Sequence, residues 1–515
     1  MTQLNINSIA IIGAGPAGIA SLYEFLHTNK DGSSTAGGEQ STNPKFTKIV
    51  AFEQKDKAGG IWAPSLDKAD LPIPPQTILN TEKYNLPDVI HPVQDIPQDL
   101  SKATVENPIS LKENLTTSEL EWRRSGVFPD LFTNIPTRFT RFSYVDNEPE
   151  YLDKSRPIYP FLYLQELVDR FENFIEKERL YDYIRLNSTV ENVTKTEDGK
   201  WSITVREKDS EKNTEKWYTE KFDAVVISNG HYTVPNFPHI PGLAEYNNNF
   251  PGRLIHTKSY RSEEEFRNQK VLVVGGGIST INMLQYIVPV AKQVINSKRG
   301  PHLVFEWIND ALNSTGIEPK PTISKIDPQT GEFFFTDGTI EKDFDKVLFT
   351  TGYHYHYPFL RDQHLKVIDP SNISRVGGLY YNTFSIDDPT LATVGVAVST
   401  LNFHTIEASA AAIAGVWSGV RTLPSKEEQY KWEEDLVKDR GNNIFFHYYT
   451  HLKVKKEFID PLYQYAPSGR YHPLEKDEAY LNEIEVGINS IEKLFYGLKD
   501  KTLPKSKTVL PVSVA

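Results

Sequence analysis

Near its start the chain runs apolar from Ser8 to Ile12 and breaks into Gly13-Ala-Gly15-Pro-Ala-Gly18. It then repeats Ile19, Leu22, Tyr23 and Leu26 at helical spacing. A short apolar run closed by glycine predicts a buried parallel strand, and the spacing after it predicts a helix. A second apolar run, 47–52, ends in Glu53 and completes a βαβ unit. The same order returns later: a strand at 270–274, the turn Gly275-Gly-Gly277-Ile-Ser279-Thr280, a helix over 278–290 and a strand at 293–297. Between the two units, Phe161, Leu164, Leu167, Val168 and Phe171 predict an amphipathic helix over 159–175, and strands are expected at 183–193, 201–205 and 222–228. Alternating residues near 333–336 lead to the apolar run 345–353, where the chain should return to its first domain. Ser425 with Glu428 makes a capping box for a charged helix through Lys438, and a last helix is expected over 475–499.

Two segments lack a period. The Ser/Thr/Gly/Asn-rich stretch 29–45 is expected to be a flexible surface loop inserted in the first βαβ unit. Residues 68–121 are polar and proline-bearing, so loops and short helices are expected there.

Composition narrows the chemistry. At 515 residues the chain exceeds one ordinary core, and 39% apolar residues can furnish two or three. The net charge of −12, spread without a basic stripe, argues against nucleic acid as a partner. The chain has no cysteine, which removes disulfides, cysteine metal sites and redox-active cysteine pairs together. The first glycine turn lies so close to Met1 that no secretory leader is expected, and no apolar run approaches the ~18 residues of a membrane span. No metal site is expected; His354 and His356 lack acids at ligand spacing and read as loop aromatics near a cofactor.

Each glycine turn follows a strand and opens a helix, the arrangement that cradles a dinucleotide pyrophosphate at a helix N-terminus. In the first, Gly13 permits the bend, Gly15 the approach of phosphate and Gly18 the close packing of helix on sheet, with Glu53 placed to accept from ribose hydroxyls. In the second, Gly275 and Gly277 remain, Ser279 can donate to a phosphate oxygen, and Thr280 replaces the third glycine and should push helix from strand. The strand that follows ends in Ser297-Lys298-Arg299. Basic residues at that point favour the 2′-phosphate of NADPH over the free hydroxyl of NADH. The expected fold is therefore α/β, with two Rossmann-like dinucleotide-binding domains and a helical C-terminal appendage.

Just before the second turn stands Phe250-x-Gly252-x-x-x-His256-x-x-x-Tyr260. This run resembles the identifying motif of flavin-containing monooxygenases. Gly59-Gly60-Ile61-Trp62 after Glu53, the Thr133-Asn134-Ile-Pro136 element and the return run through Thr351-Gly352-Tyr353 are similar to further elements of that family, and the C-terminal helices are most like those of fungal members. The resemblance implies FAD held by residues 1–237 and 353–424, NADPH held by an inserted domain 238–352, and an appendage from 425 to 515. It adds Gly60, Trp62, Thr133 and Val190 to the cofactor-binding set. It also implies NADPH- and O2-dependent oxygenation of a soft amine or thiol through a C4a-hydroperoxyflavin, with Asn134 beside the flavin's oxygen-reactive edge. His256 is read as a satisfied interdomain histidine. Baeyer–Villiger relatives carry Trp where this chain has Tyr260, which favours attack by nitrogen or sulfur. Baeyer–Villiger oxygenation, an NADPH oxidase and a nucleotide-binding protein without turnover remain as alternatives, the last resting on Thr280 alone. A cytoplasmic location is expected; a homodimer and peripheral attachment to the cytosolic face of the endoplasmic reticulum stay open.

Overall fold

The structure is a computed structural model that describes residues 4–64, 73, 79, 83–114, 124–209, 211–362, 364–369, 375–503 and 505. Two sheets organise it, the first with a parallel core and an antiparallel edge (Leu379–Tyr380 and Phe384–Ser385), the second parallel. In the first, Ser8–Ile12 lies between Lys48–Phe52 and Ala224–Ile227, with every pairing parallel, and Ile184–Arg185 and Leu391–Thr393 extend the sheet on either side. The second is parallel throughout, in the order Leu254–His256, Lys346–Phe349, Lys270–Val274, Gln293–Ser297, Glu318–Lys320. Both central strands are buried apolar runs, as strands covered on both faces must be.

Seven helices matter for the site: α1 (Pro16–Leu26), α2 (Leu164–Lys177), α3 (Ile278–Ile287), α4 (Glu306–Leu312), α5 (Asn402–Trp417), α6 (Lys426–Arg440) and α7 (Tyr480–Lys499). Helix α1 follows the first glycine turn and packs on α5; α3 follows the second. The capping box forms as expected: Glu428 N–H donates to Ser425 Oγ (3.2 Å) and Ser425 N–H to the Glu428 carboxylate (2.8 Å). Helix α7 is built into both halves, with Tyr480 and Ile484 in the core of the first sheet and Ile491, Leu494 and Phe495 against α3 and α4.

Three features differ from the sequence reading. Helix α5 had no amphipathic signal because it is buried on nearly all faces, so no period marks it. Thr214–Phe222 pairs with Trp201–Asp209, and Ile109–Lys112 adds to its edge, so an antiparallel four-stranded sheet stands where fewer strands were expected. The mixed residues of Thr214–Phe222 hide their alternation behind charged partners such as Arg206–Glu215. The insertion 29–45 is a fastened turn structure. Asn29 N–H donates to Ser33 O (2.8 Å), Lys45 N–H to Thr28 O (2.9 Å) and Ser34 N–H to Ser468 O (2.9 Å). Its polar residues serve turns. Within 68–121 the described stretch 83–114 holds a short helix, Pro87–Ile90, a helical turn, Leu100–Lys102, and loops, as expected, together with the strand Ile109–Lys112; 68–72, 74–78, 80–82 and 115–121 lie outside the described residues.

The two crossings between the sheets run side by side, Val234–Pro235 antiparallel to Tyr353–His354. Two buried histidines brace this region and the C-terminal loop. His256 accepts Lys258 N–H at Nδ1 (3.1 Å) and faces Gly352 O from Nε2 (3.0 Å); His447 accepts Val376 N–H at Nε2 (2.8 Å) and faces Asn382 Oδ1 from Nδ1 (2.9 Å). Each ring is satisfied only when neutral, and burial holds both down to about 3. Burial likewise lowers His231 and His404 to about 4. The unfolded chain binds these protons near its ordinary value of about 6.5 while the folded chain does not, so stability falls as pH drops from there toward 4. We expect a thermal midpoint about 5–10 °C lower at pH 5 than at pH 7, read by differential scanning calorimetry. Among the described residues, no helix is long and apolar enough to cross a membrane.

Candidate active site

A cavity of about 270 Å³ opens along the C-terminal edge of the first sheet, where ligands of parallel α/β sheets bind. Gly13 and Gly15 line it, and no side chain caps the first turn of α1, so that turn's N–H groups are left for a ligand. The cradle has no room for side chains. A Cβ on Gly13, whose φ is +96°, would lie 2.7 Å from Ser228 O, and one on Gly18 only 2.0 Å from Gly13 O. Glu53 is buried beside the turn, accepting from Ala14 N–H (2.8 Å) and Lys55 N–H (3.0 Å), and burial pushes its carboxyl up. Lys55 donates from Nζ to Gly60 O (2.7 Å), fixing the loop that carries Gly60 and Trp62 along the cavity. Val190 lines the same cavity beside a break in the register of its strand. Every part of this wall suits a dinucleotide.

Thr133 and Asn134 are placed differently. Thr133 is buried and clamps its loop: Leu162 N–H donates to Thr133 Oγ1 (3.0 Å), and Thr133 N–H to Leu162 O (2.8 Å). Asn134, two residues from the Pro136 ring, is exposed and does not line the cavity. The short Thr-x-x-Pro turn that holds Thr133 inward turns its neighbour out.

The second turn repeats the first with one change. Gly275 has φ +142°, and a Cβ there would lie 2.1 Å from Thr350 Oγ1. Gly277 is the uncapped N-terminus of α3, and Ser279 lies half-buried in that helix's first turn. Thr280 does not face the phosphate position. It is fully buried, and its hydroxyl pairs with Thr350 Oγ1 (2.7 Å), which in turn donates to Val274 O (2.9 Å). The hydroxyl pair bridges helix and strand where a third glycine would let them touch. Thr280→Gly should therefore lower stability by about 2 kcal/mol, from a lost buried hydrogen bond and a glycine in the helix, and leave NADPH affinity within twofold. Thermal unfolding and a nucleotide titration read the two effects separately.

At the end of the next strand, Lys298 is half-buried and Arg299 exposed. Burial alone shifts the Lys298 ammonium, downward, and no carboxylate among the described residues pairs with either cation. They are free to meet an anion.

Sequence reasoning missed several lining residues: Lys55, His91, Asn229, His231, Tyr232 and Asn402. Asn229 to Tyr232 follow the strand Ala224–Ile227, and residues just past the C-terminal end of a parallel strand are the ones that line a crevice. That signal was present. His354 and His356 do line the cavity, His354 facing Asn85 Oδ1 (3.0 Å) and His356 facing Asp88 (2.9 Å). Among the described residues, no group of histidines and acids is arranged for a metal ion.

Two sheets with parallel cores, each with a glycine turn at its C-terminal edge, define a protein that holds two dinucleotides. The chain belongs to the flavin-binding monooxygenase-like family, whose profile matches residues 137–317 and 306–466. FAD and NADPH are its cofactors. It is 23% identical over 503 residues to the flavin-containing monooxygenase ustF2 of Aspergillus flavus, covering 91% of this chain and 94% of that protein. It is 27% identical over 423 residues to the trimethylamine monooxygenase of Methylocella silvestris, covering 82% and 76%. Among solved structures, the S-allyl-L-cysteine S-oxygenase of Allium sativum superposes with a TM-score of 0.64 at 22% identity, covering 98% of this chain and 100% of that one. A cyclohexanone monooxygenase shares the fold at a TM-score of 0.53 and 13% identity.

Proposed function

We propose that the protein oxygenates a soft nitrogen or sulfur nucleophile, an amine, thiol or thioether, with NADPH and O2. Two electrons come from NADPH, one oxygen atom enters the substrate and the other leaves as water. FAD, when bound, supplies hydride acceptance and activation of dioxygen. The observation that carries this reading is the chemistry of the cavity wall. Its only carboxylate among the described residues is Glu53, engaged at the ribose end, and burial holds the histidines His91 and His231 below their ordinary range. A nucleophile that attacks oxygen directly needs no enzyme acid or base, and this wall offers none beside the reacting centre: its buried histidines stay neutral, and of its cations Lys55 is spent on Gly60 O while Arg124 stays protonated.

In this reading Gly13, Gly15 and the N-terminus of α1 hold the FAD pyrophosphate. Glu53 accepts from its ribose, Val190 borders the adenine, and Gly60 and Trp62 flank the bound group. Gly275, Gly277 and Ser279 hold the NADPH pyrophosphate, and Lys298 and Arg299 its 2′-phosphate. Thr280 takes the place of a glycine in packing rather than touching the nucleotide. Thr133 sets the loop that carries Asn134, and the neutral amide of Asn134 is assigned to the reacting oxygen. Arg261, which donates to Ser125 O (3.1 Å) and to Lys258 O (3.0 Å), ties the Phe250–Tyr260 motif to the 125–128 segment.

Product analysis tests the reading. Incubated with NADPH, air and a panel of one thioether, one tertiary amine and one cyclic ketone, the enzyme should give sulfoxide or N-oxide. A lactone as the sole product would replace this reading by Baeyer–Villiger oxygenation, and peroxide with no oxygenated product by an oxidase.

A further inference from the structure

The loop Thr133–Pro136 is zipped on one side only. Along that side, Thr133 N–H donates to Leu162 O (2.8 Å), Leu162 N–H donates to Thr133 Oγ1 (3.0 Å) and Thr137 N–H donates to Pro160 O (2.7 Å). The other side rests on the C-terminal helix. Tyr480, Ile484, Gly487, Ile491 and Leu494 form a buried stripe of α7 at spacings of three and four that ends in Gly497, which faces Leu503; Gly487 is the glycine in the middle of it. Glycine in mid-helix is unfavourable, so its place there calls for a reason. The reason is contact. A Cβ on Gly487 would lie 2.6 Å from Cγ and 2.8 Å from Cδ of Pro136, a ring that cannot rotate away.

The helix has little freedom to retreat. One turn earlier Glu483 binds Arg138 (2.6 Å), and Arg138 also pairs with Asp477. At the far end Lys499 Nζ donates to Thr315 O (3.0 Å), and beyond it Lys505 joins both Asp130 (2.6 Å) and Glu263 (2.7 Å). Between these ties α7 packs on α3, the helix that opens at the second glycine turn.

We propose that Gly487 is a positioning residue: the bare face it gives α7 fixes how far the Asn134 loop stands from α3, and so whether Asn134 and the second nucleotide meet in one geometry. The proposal rests on the role given above to Asn134. A methyl group at Gly487 displaces the loop and leaves the first glycine turn untouched, so flavin loading and hydride uptake should survive while oxygen delivery becomes wasteful.

The test compares the full-length, flavin-loaded protein with Gly487→Ala and, as control, Val486→Ala, whose residue is exposed on the same helix. In Gly487→Ala, hydrogen–deuterium exchange over residues 131–137 should quicken at least threefold, and peroxide released per NADPH with a thioether present should rise at least threefold. Anaerobic reduction by NADPH should stay within twofold, and Val486→Ala should change none of these. Unchanged exchange and unchanged peroxide in Gly487→Ala would overturn the proposal. If that variant fails to load flavin, Glu483→Gln, which adds no bulk and removes one of the two carboxylates that hold Arg138, should raise exchange and peroxide about twofold, and no change there overturns it equally. If Asn134→Ala leaves the peroxide fraction unaltered while Gly487→Ala still quickens exchange, the role of Asn134 falls and the contact stands.

Discussion

Gly18→Ala is expected to purify folded but colourless. The added methyl would sit 2.0 Å from Gly13 O, which is backbone and cannot swing aside. Helix α1 must retreat by about 1 Å, carrying its first-turn N–H groups away from the pyrophosphate, and a misplacement of that size is worth about 100-fold. The strands on either side keep their pairing, since Ser8–Ile12 is held by Lys48–Phe52 and Ala224–Ile227 along its whole length. Far-ultraviolet dichroism should therefore match the parent, while the absorbance of bound flavin is lost and is not recovered by micromolar FAD. A yellow Gly18→Ala protein would mean that the first turn does not hold the flavin.

The second large effect is on nucleotide choice. Lys298→Ala combined with Arg299→Ala should raise the KM for NADPH by about 100-fold or more, because two charge-assisted contacts to a phosphate are worth about 3 kcal/mol together. NADH, which lacks the 2′-phosphate, should change by less than threefold. The half-buried Lys298, shifted downward by burial and facing no carboxylate, is expected to contribute the larger share. Equal loss with NADH and NADPH would move the 2′-phosphate elsewhere and make the pair an ordinary strand end.

The sequence made both glycine turns legible because they are constrained by backbone. A positive φ at Gly13 and a Cβ-free contact at Gly18 admit no other residue, so the pattern survives on the surface of the sequence. Glu53 was legible for a related reason, standing where a buried strand ends. Helix α5 was not, since burial on all faces erases the period that reveals a helix, although its first residues border the cavity at Asn402 and Phe403. Thr280 illustrates the limit from the other side. A residue type was visible, but whether its hydroxyl faced phosphate or Thr350 depends on a strand seventy residues away. Asn134 is similar: the motif marks the loop, and the structure shows Thr133 turned in and Asn134 turned out. The role of α7 was beyond reach, because the contact between Gly487 and Pro136 joins positions that no local pattern relates.

The central claim is that NADPH and dioxygen act in turn on a flavin held in the cavity at the first glycine turn. The most direct measurement is to add NADPH to the yellow protein without air, record the spectrum, and then admit isotopically labelled dioxygen with a thioether. The account predicts bleaching on NADPH, return of the oxidised spectrum in air, and one labelled oxygen atom in the sulfoxide for each NADPH consumed. A spectrum that NADPH does not change, or a sulfoxide without label, would contradict it.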